Sequence, residues 1–201
     1  MEIRTATPND NGDISQLMYS SGIELYDFIF KTSDKTAIDF IQYEFLSGQG
    51  FCGYNNVTVA ITDQRVIATG FFFDGKIFNQ LVWGTVKNIF SFYGPFKAFS
   101  ILARSRHTSS VMRTPRKTEI YLSNFGVAPN LRGSGIGSKM IEHQRNIATE
   151  NGYNTLSLDV ADNNPRAESL YTRLGFKVVR EKIFPDTNAN IPRTKEMTLA
   201  L

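Results

Sequence analysis

The feature that most constrains this chain is the run Val127-Ala128-Pro129-Asn130-Leu131-Arg132-Gly133-Ser134-Gly135-Ile136-Gly137-Ser138, set between a strand-like and a helix-like stretch. Glycines at alternate positions let main-chain amides approach a ligand closely, and the helix that follows aims its free N–H groups and positive dipole end at the same point. The run therefore predicts an anion site, although a glycine-rich turn of this kind also serves purely structural ends. It is neither of the commoner phosphate loops. A P-loop needs adjacent Gly-Lys, whereas Ser138 separates Gly137 from Lys139, and the glycine spacing is not GxGxxG.

Around this turn the pattern is strand (120–127), helix (135–151, stopped by Gly152), strand (155–160), helix (165–174, stopped by Gly175) and strands near 176–184 and 195–201. Such β-α-β units imply parallel strands joined by crossover helices, and the Pro/Asn-rich loop over 185–192 suits a closing hairpin. Upstream, the alternation in EIRTAT predicts a short strand. Ile14, Leu17, Met18, Leu25 and Phe28 mark one broken helix or two short ones around Ser20-Ser21-Gly22. Ser33 or Asp34 is the expected cap of the next helix, with Ile38, Ile41, Phe45 and Leu46 on one face and Gly48 at its end. A hairpin follows: Val57, Val59 and Ile61 alternate with small polar residues, Asp63-Gln64 turns the chain, and the return strand runs over 65–73 to an Asp74-Gly75 turn. Residues 76–117 interrupt this plan and read as an inserted helical segment ending in a basic loop. The whole, 1–201, is read as one α/β domain with a central mixed sheet of about seven strands flanked by helices.

At 201 residues, 41% hydrophobic and 20% charged, the chain can bury a core without staples. One cysteine, Cys52, excludes an internal disulfide, and His107 and His143 offer no zinc spacing, so no metal is expected. The start MEIRTATPND lacks the basic and apolar regions of a signal peptide, which points to the cytoplasm. The most apolar window, 78–103, is broken by polar residues and by Gly94-Pro95, and falls short of the roughly 20 apolar residues of a membrane span. Residues 1–103 carry 7 Lys/Arg against 10 Asp/Glu, and 104–201 carry 15 against 9. A basic C-terminal half suits a polyanionic ligand and an acidic N-terminal half tolerates a cationic one, unless both are simply solvated faces.

Two motifs in sequence carry a resemblance. Arg132-x-x-Gly135-x-Gly137 after a strand ending in Val127, followed by Asn164-x-x-Ala167-x-x-Leu170-Tyr171-x-x-Leu174-Gly175-Phe176, resembles the GNAT superfamily of acyl-CoA-dependent N-acyltransferases over about residues 119–180. Residues 1–75 fit that family's opening strand, helices and hairpin by pattern only, and 76–117 depart from its minimal plan. The resemblance implies acetyl-CoA as cosubstrate, with its pyrophosphate on the amides of Arg132, Gly133, Ser134, Gly135, Ile136, Gly137 and Ser138. The pantetheine arm would lie between splayed parallel strands ending at Val127 and Val160. Amides around Phe125, Gly126 and Val127, freed by a bulge, would hold the acetyl carbonyl and stabilise its oxyanion. Asn164 and Ala167 complete the expected coenzyme residues.

Tyr171 matches the family's tyrosine near the coenzyme sulfur, where a phenol can protonate the departing thiolate; its bland alternative is a core aromatic beside Ala167, Leu170 and Leu174. An amine arrives as ammonium and must lose a proton. Asp159 is the first candidate base and Glu119 the second, with a water relay or a merely solvated carboxylate as alternatives; Asn124 could orient a water but cannot be a base. Cys52 lies far in sequence from both motifs, so direct transfer in a ternary complex is expected rather than an acetyl-cysteine intermediate. The acceptor is expected to be a primary amine: a protein N-terminus, a lysine or a small metabolite. A non-catalytic CoA-binding sensor or scaffold is the rival. Arg104, Arg106, Arg113, Arg116 and Lys117 read as a solvated loop, a phosphate or acidic-substrate contact, or a nucleic-acid or membrane surface, the last least favoured. Phe78, Trp83, Phe90, Phe92, Tyr93, Phe96 and Phe99 read as core, as a substrate wall or as the face of a homodimer.

Overall fold

The computed structural model describes residues 1–186 and 189–201; the expected loop over 185–192 contains residues 187 and 188, which lie outside the described residues. A sheet of seven strands forms the centre: β1 (Glu2–Thr5), β2 (Val57–Thr62), β3 (Arg65–Asp74), β4 (Glu119–Val127), β5 (Thr155–Ala161), β6 (Lys177–Lys182) and β7 (Thr194–Ala200), in the order β1-β2-β3-β4-β5-β7-β6. Among the described residues only β4 and β5 are parallel; all other neighbours are antiparallel, including the β6–β7 pair at one edge. The β2–β3 turn is made by Asp63 and Gln64, both with positive φ, a conformation that matches the twist of a two-residue hairpin.

Helices α1 (Asn11–Tyr19), α2 (Ile23–Phe30), α3 (Ala37–Ser47) and α4 (Phe78–Ser105) gather over one sheet face, and α5 (Ile136–Glu150) and α6 (Pro165–Arg173) over the other. The break between α1 and α2 falls at Ser20-Ser21-Gly22, as the pattern requires. The cap of α3 is Thr36 rather than Ser33 or Asp34: its hydroxyl accepts from the Asp39 amide at 3.2 Å while Asp39 accepts from the Thr36 amide at 2.8 Å. That reciprocal box satisfies two otherwise orphaned donors, which a lone Ser or Asp upstream does not. The buried face of α3 is also turned from expectation: Ala37, Phe40, Ile41, Glu44 and Phe45 point inward, and Leu46 is exposed.

The segment between β3 and β4 is the long helix α4, bent where Gly94 takes φ 73° ahead of Pro95. Its aromatic residues divide. Tyr93 is buried and donates to the Phe30 carbonyl at 2.6 Å, whereas Trp83, Phe96 and Phe99 are 65%, 93% and 67% exposed.

Two irregularities in β4 position the site. Pairing with β5 runs only from Glu119–Thr155 to Leu122–Leu158, after which the two parallel strands diverge. Pairing with β3 slips between Thr69–Gly126 and Phe71–Ser123, so Gly70 faces a bulge at Asn124-Phe125, where Asn124 has φ 51°. A bulge of this kind frees a main-chain unit and re-aims the side chains beside it.

Candidate active site

One cavity of about 870 Å³ passes through the opening between β4 and β5 and reaches both faces of the sheet. On the α5/α6 side it is lined by Phe125, Gly126, Val127, Arg132, Gly133, Gly135, Ile136, Gly137 and Ser138, together with Asn164, Ala167 and Tyr171. The sequence-predicted coenzyme residues thus converge, with one exception. Ser134 does not line the cavity, because its hydroxyl folds back to donate to the Leu131 carbonyl at 2.6 Å.

The glycines have different reasons. Gly133 and Gly135 take φ of 88° and 85°, which a side chain would strain, and Gly135 has open space around it. Gly126 makes room for α1: a Cβ there would stand 2.6 Å from the Leu17 carbonyl oxygen. The first-turn amides of α5, beginning at Ile136, have no acceptor within their own helix. Arg132 anchors the turn by donating from Nε to the Val127 carbonyl at 3.0 Å, and the Asn164 side chain caps α6 by accepting from the Ala167 amide at 3.1 Å. Arg166 and Arg173 add guanidinium groups to this half of the cavity wall.

Tyr171 lines the cavity beside Phe125 and Phe176, with ring centroids 6.4 and 5.7 Å away. Burial alone holds its phenol above the ordinary value, so the hydroxyl carries its proton across the physiological range. Asp159 also lines the cavity, but on the opposite face and fully engaged. Lys182 Nζ donates to its two oxygens at 2.8 and 2.9 Å, and the Tyr121 hydroxyl donates at 2.8 Å. Burial raises the Asp159 carboxyl and the Lys182 pair opposes the rise. Glu119 is not among the cavity residues. It starts β4, about 16 Å by strand rise from the bulge, and is paired with Arg113, which also contacts Glu196 at 2.7 Å.

Arg113, half-buried and on the cavity wall, is therefore paired with Glu119 and Glu196 and not part of a basic patch. Arg104 is likewise turned inward, donating to the Lys31 carbonyl at 3.1 Å, so the cluster expected over 104–117 is divided between interior and surface. His107 packs edge-on to Phe184, and neither it nor His143 lines the cavity.

Sequence spacing gave no hint of the group at the bulge. Tyr26 donates from its hydroxyl to Asn124 Oδ1 at 2.6 Å, and Cys52 Sγ lies 3.9 Å from that hydroxyl and 3.8 Å from Asn124 Nδ2. Cys52 is thus at the centre of the site despite its distance along the chain. Burial and the neighbouring Glu44 push its thiol well above the ordinary value, which keeps it protonated and a poor nucleophile. Glu44 itself lines the cavity and was hidden among apolar neighbours. The signal that could have found it is its position on the face shared by Ala37, Phe40, Ile41 and Phe45.

A mixed sheet with one parallel pair opened at a bulge, and a glycine turn leading into a helix, define an α/β fold of the acyltransferase type. Residues 99–176 match the family model described as Acetyltransferase (GNAT) family. With the fold, this match supports membership of the GNAT superfamily. Among curated relatives, it is 44% identical over 62 residues to thialysine N-epsilon-acetyltransferase of Bos taurus, covering 31% of this chain and 36% of that one. It is 38% identical over 68 residues to the 5-NmdU N-acetyltransferase of Pseudomonas phage PaMx11, covering 34% and 46%. The match thus spans less than half the length of these relatives. An N-acetyltransferase structure from Staphylococcus aureus Mu50 superposes with a TM-score of 0.74 at 17% identity, over 99% of this chain and 100% of that one. A second structure, described as an acetyltransferase, gives 0.70 at 20% identity over 100% and 99%. At such identities the likeness is one of fold.

Proposed function

We propose that the protein is an N-acetyltransferase that moves an acetyl group from acetyl-CoA directly to a primary amine. The observation that carries the reading is the single cavity joining the glycine turn to the bulge of β4 through the gap between β4 and β5. Its α5/α6 half fits coenzyme A: open space and positive φ at Gly135, helix-end amides and three arginines suit a diphosphate. The gap between strands suits an extended arm that borrows main-chain hydrogen bonds. When bound, the coenzyme supplies an activated acetyl thioester.

The chain's own groups would do the rest. Main-chain amides at the bulge orient the acetyl carbonyl and stabilise negative charge on its oxygen. Tyr171, protonated and on the cavity wall, donates to the departing sulfur. The protonated, buried Cys52 favours direct transfer over an acetyl-enzyme. The engagement of Asp159 by Lys182 and Tyr121 makes it a poorer base than the sequence suggests, and Glu119 lies away from the cavity.

Isothermal titration with acetyl-CoA, followed by thiol release with a panel of amines, tests the reading. Binding with release is expected. Binding without release from any amine would favour a sensor, and no binding would overturn the assignment of the glycine turn.

A further inference from the structure

Beyond the bulge the cavity opens into a chamber under α2, α3 and α4. Its walls are mainly apolar, including Ile29, Phe30, Phe73, Phe78, Val86 and Ile89, with Glu24, Arg113 and Asp159 also lining the cavity. Glu44 enters this chamber with 1% of its surface exposed. Its Oε2 accepts from the Cys52 amide and its Oε1 from Asn88 Nδ2, both at 3.3 Å, and the Thr85 hydroxyl also bonds it. Room for the carboxyl depends on Gly50, where any Cβ would collide with Oε1.

Among the described residues, the groups facing Glu44 include no cation. From α4 they are Thr85 and Asn88, from the segment after α3 Cys52, and from α2 Tyr26; the two titratable ones are both held protonated by burial. A carboxylate this deep normally has a counter-charge, because desolvation penalises an isolated ion. Here burial pushes the carboxyl up to about 7. The Cys52-Tyr26-Asn124 group connects it to the bulge, and beside Asn124 the Ser123 hydroxyl also lines the cavity, buried and without a hydrogen-bond partner among the described residues.

We propose that Glu44 is the group that takes the proton from the acceptor ammonium, and that the acceptor is a primary amine on an apolar body of about aromatic-ring size, seated in this chamber. The proposal rests on the acetyltransferase reading and names its acceptor class. One N–H bond of the ammonium breaks, its electron pair stays on nitrogen, and the proton bonds a Glu44 oxygen. An opposite-charge pair thereby becomes two neutral groups, which apolar walls favour. The nitrogen lone pair adds to the acetyl carbonyl, the C–S bond breaks with its electrons on sulfur, and one of the two remaining nitrogen protons passes to sulfur by way of Tyr171. The proton on Glu44 then leaves to solvent. A polyamine would bring a second ammonium, and an amino acid a carboxylate, into a chamber whose nearby Asp159 and Arg113 are already paired with Lys182 and with Glu119 and Glu196.

The test uses the full chain with 2-phenylethylamine and spermidine as probes. Titration at about pH 6 in buffers of different ionisation heat should show 2-phenylethylamine binding about 10-fold or more tightly than spermidine, with release of most of one proton to the buffer in the wild type, where Glu44 starts protonated, and none in Glu44→Gln. In Glu44→Gln, kcat should fall about 100-fold and the rise of kcat/KM through pH 7 should vanish, with acetyl-CoA affinity unchanged. Val86→Glu, which adds an unpaired carboxylate to the apolar part of the wall, should shift preference toward spermidine. An unchanged pH profile in Glu44→Gln overturns the base assignment, and spermidine binding as tightly as 2-phenylethylamine overturns the acceptor class. Failure of the wild type to bind acetyl-CoA would instead remove the acetyltransferase reading, and the base assignment with it.

Discussion

The two halves of the cavity are built by different means. On the α5/α6 side, a contiguous turn of Arg132 to Ser138 offers main-chain amides and left-handed glycines, with guanidinium groups of Arg132, Arg166 and Arg173 nearby. On the other side, walls from α2, α3, α4 and β3 bring apolar side chains from distant segments around Glu44, while Asp159 sits at the strand edge in an ion pair. A main-chain anion site can be written in one short stretch of sequence. A chamber of side chains exists only where helices far apart in the chain meet.

Perturbing each half should therefore produce different signatures. The largest effect belongs to the glycine turn. Gly135→Val strains a residue at φ 85° and disturbs the amide cradle, and should weaken acetyl-CoA binding by about 1000-fold, read by titration, while circular dichroism stays unchanged. Unaltered affinity would show that the coenzyme does not use this turn.

Next comes the stability linkage of Glu44. Its carboxyl is raised from 4.5 to about 7 in the folded protein, so its contribution is full below pH 4.5 and lost as pH rises through 7. Glu44→Gln should match the wild type in urea unfolding at pH 4.5 and exceed it by about 3 kcal/mol at pH 8. Parallel behaviour at both pH values would mean that the chamber does not hold the carboxyl desolvated.

Tyr171→Phe keeps the ring packing with Phe125 and Phe176 and removes only the hydroxyl. Turnover should drop about 100-fold with acetyl-CoA affinity intact, the size expected of a general acid. Equal turnover would return Tyr171 to the core. The smallest effect is expected at Asp159. Asp159→Asn weakens the bond to Lys182, which retains Glu196 at 3.4 Å, and should cost about 2 kcal/mol of stability in denaturant unfolding. The midpoint of the pH–rate profile near 7 should not move. A shift of that midpoint would restore Asp159 as the base in place of Glu44.

Much of the fold is readable in local pattern because its signals are short-range. The Asp63-Gln64 hairpin, the Ser-Ser-Gly break after α1, the Gly48 end of α3 and the β-α-β-α run from 119 all rest on residues within a few positions of one another. The same locality explains the misplaced cap of α3: Ser33, Asp34 and Thr36 all have capping chemistry, and only the reciprocal bond with Asp39 selects Thr36. The acceptor half was less legible. Asp159 and Glu119 stand out as carboxylates on predicted strands, yet Lys182, 23 residues further on, claims the first, and Arg113, folded back from the loop just before β4, claims the second.

By itself the sequence determined the glycine turn, the helix register that presents Tyr171 and the β-α-β order of a mixed sheet, because steric freedom at glycine and hydrophobic periodicity act over a few residues. Only the tertiary structure decided which carboxylate is left without a cation and where Cys52 lies. Both depend on which side chains from remote segments exclude water together, and the energy of a buried charge is set by those neighbours and not by its place in the chain.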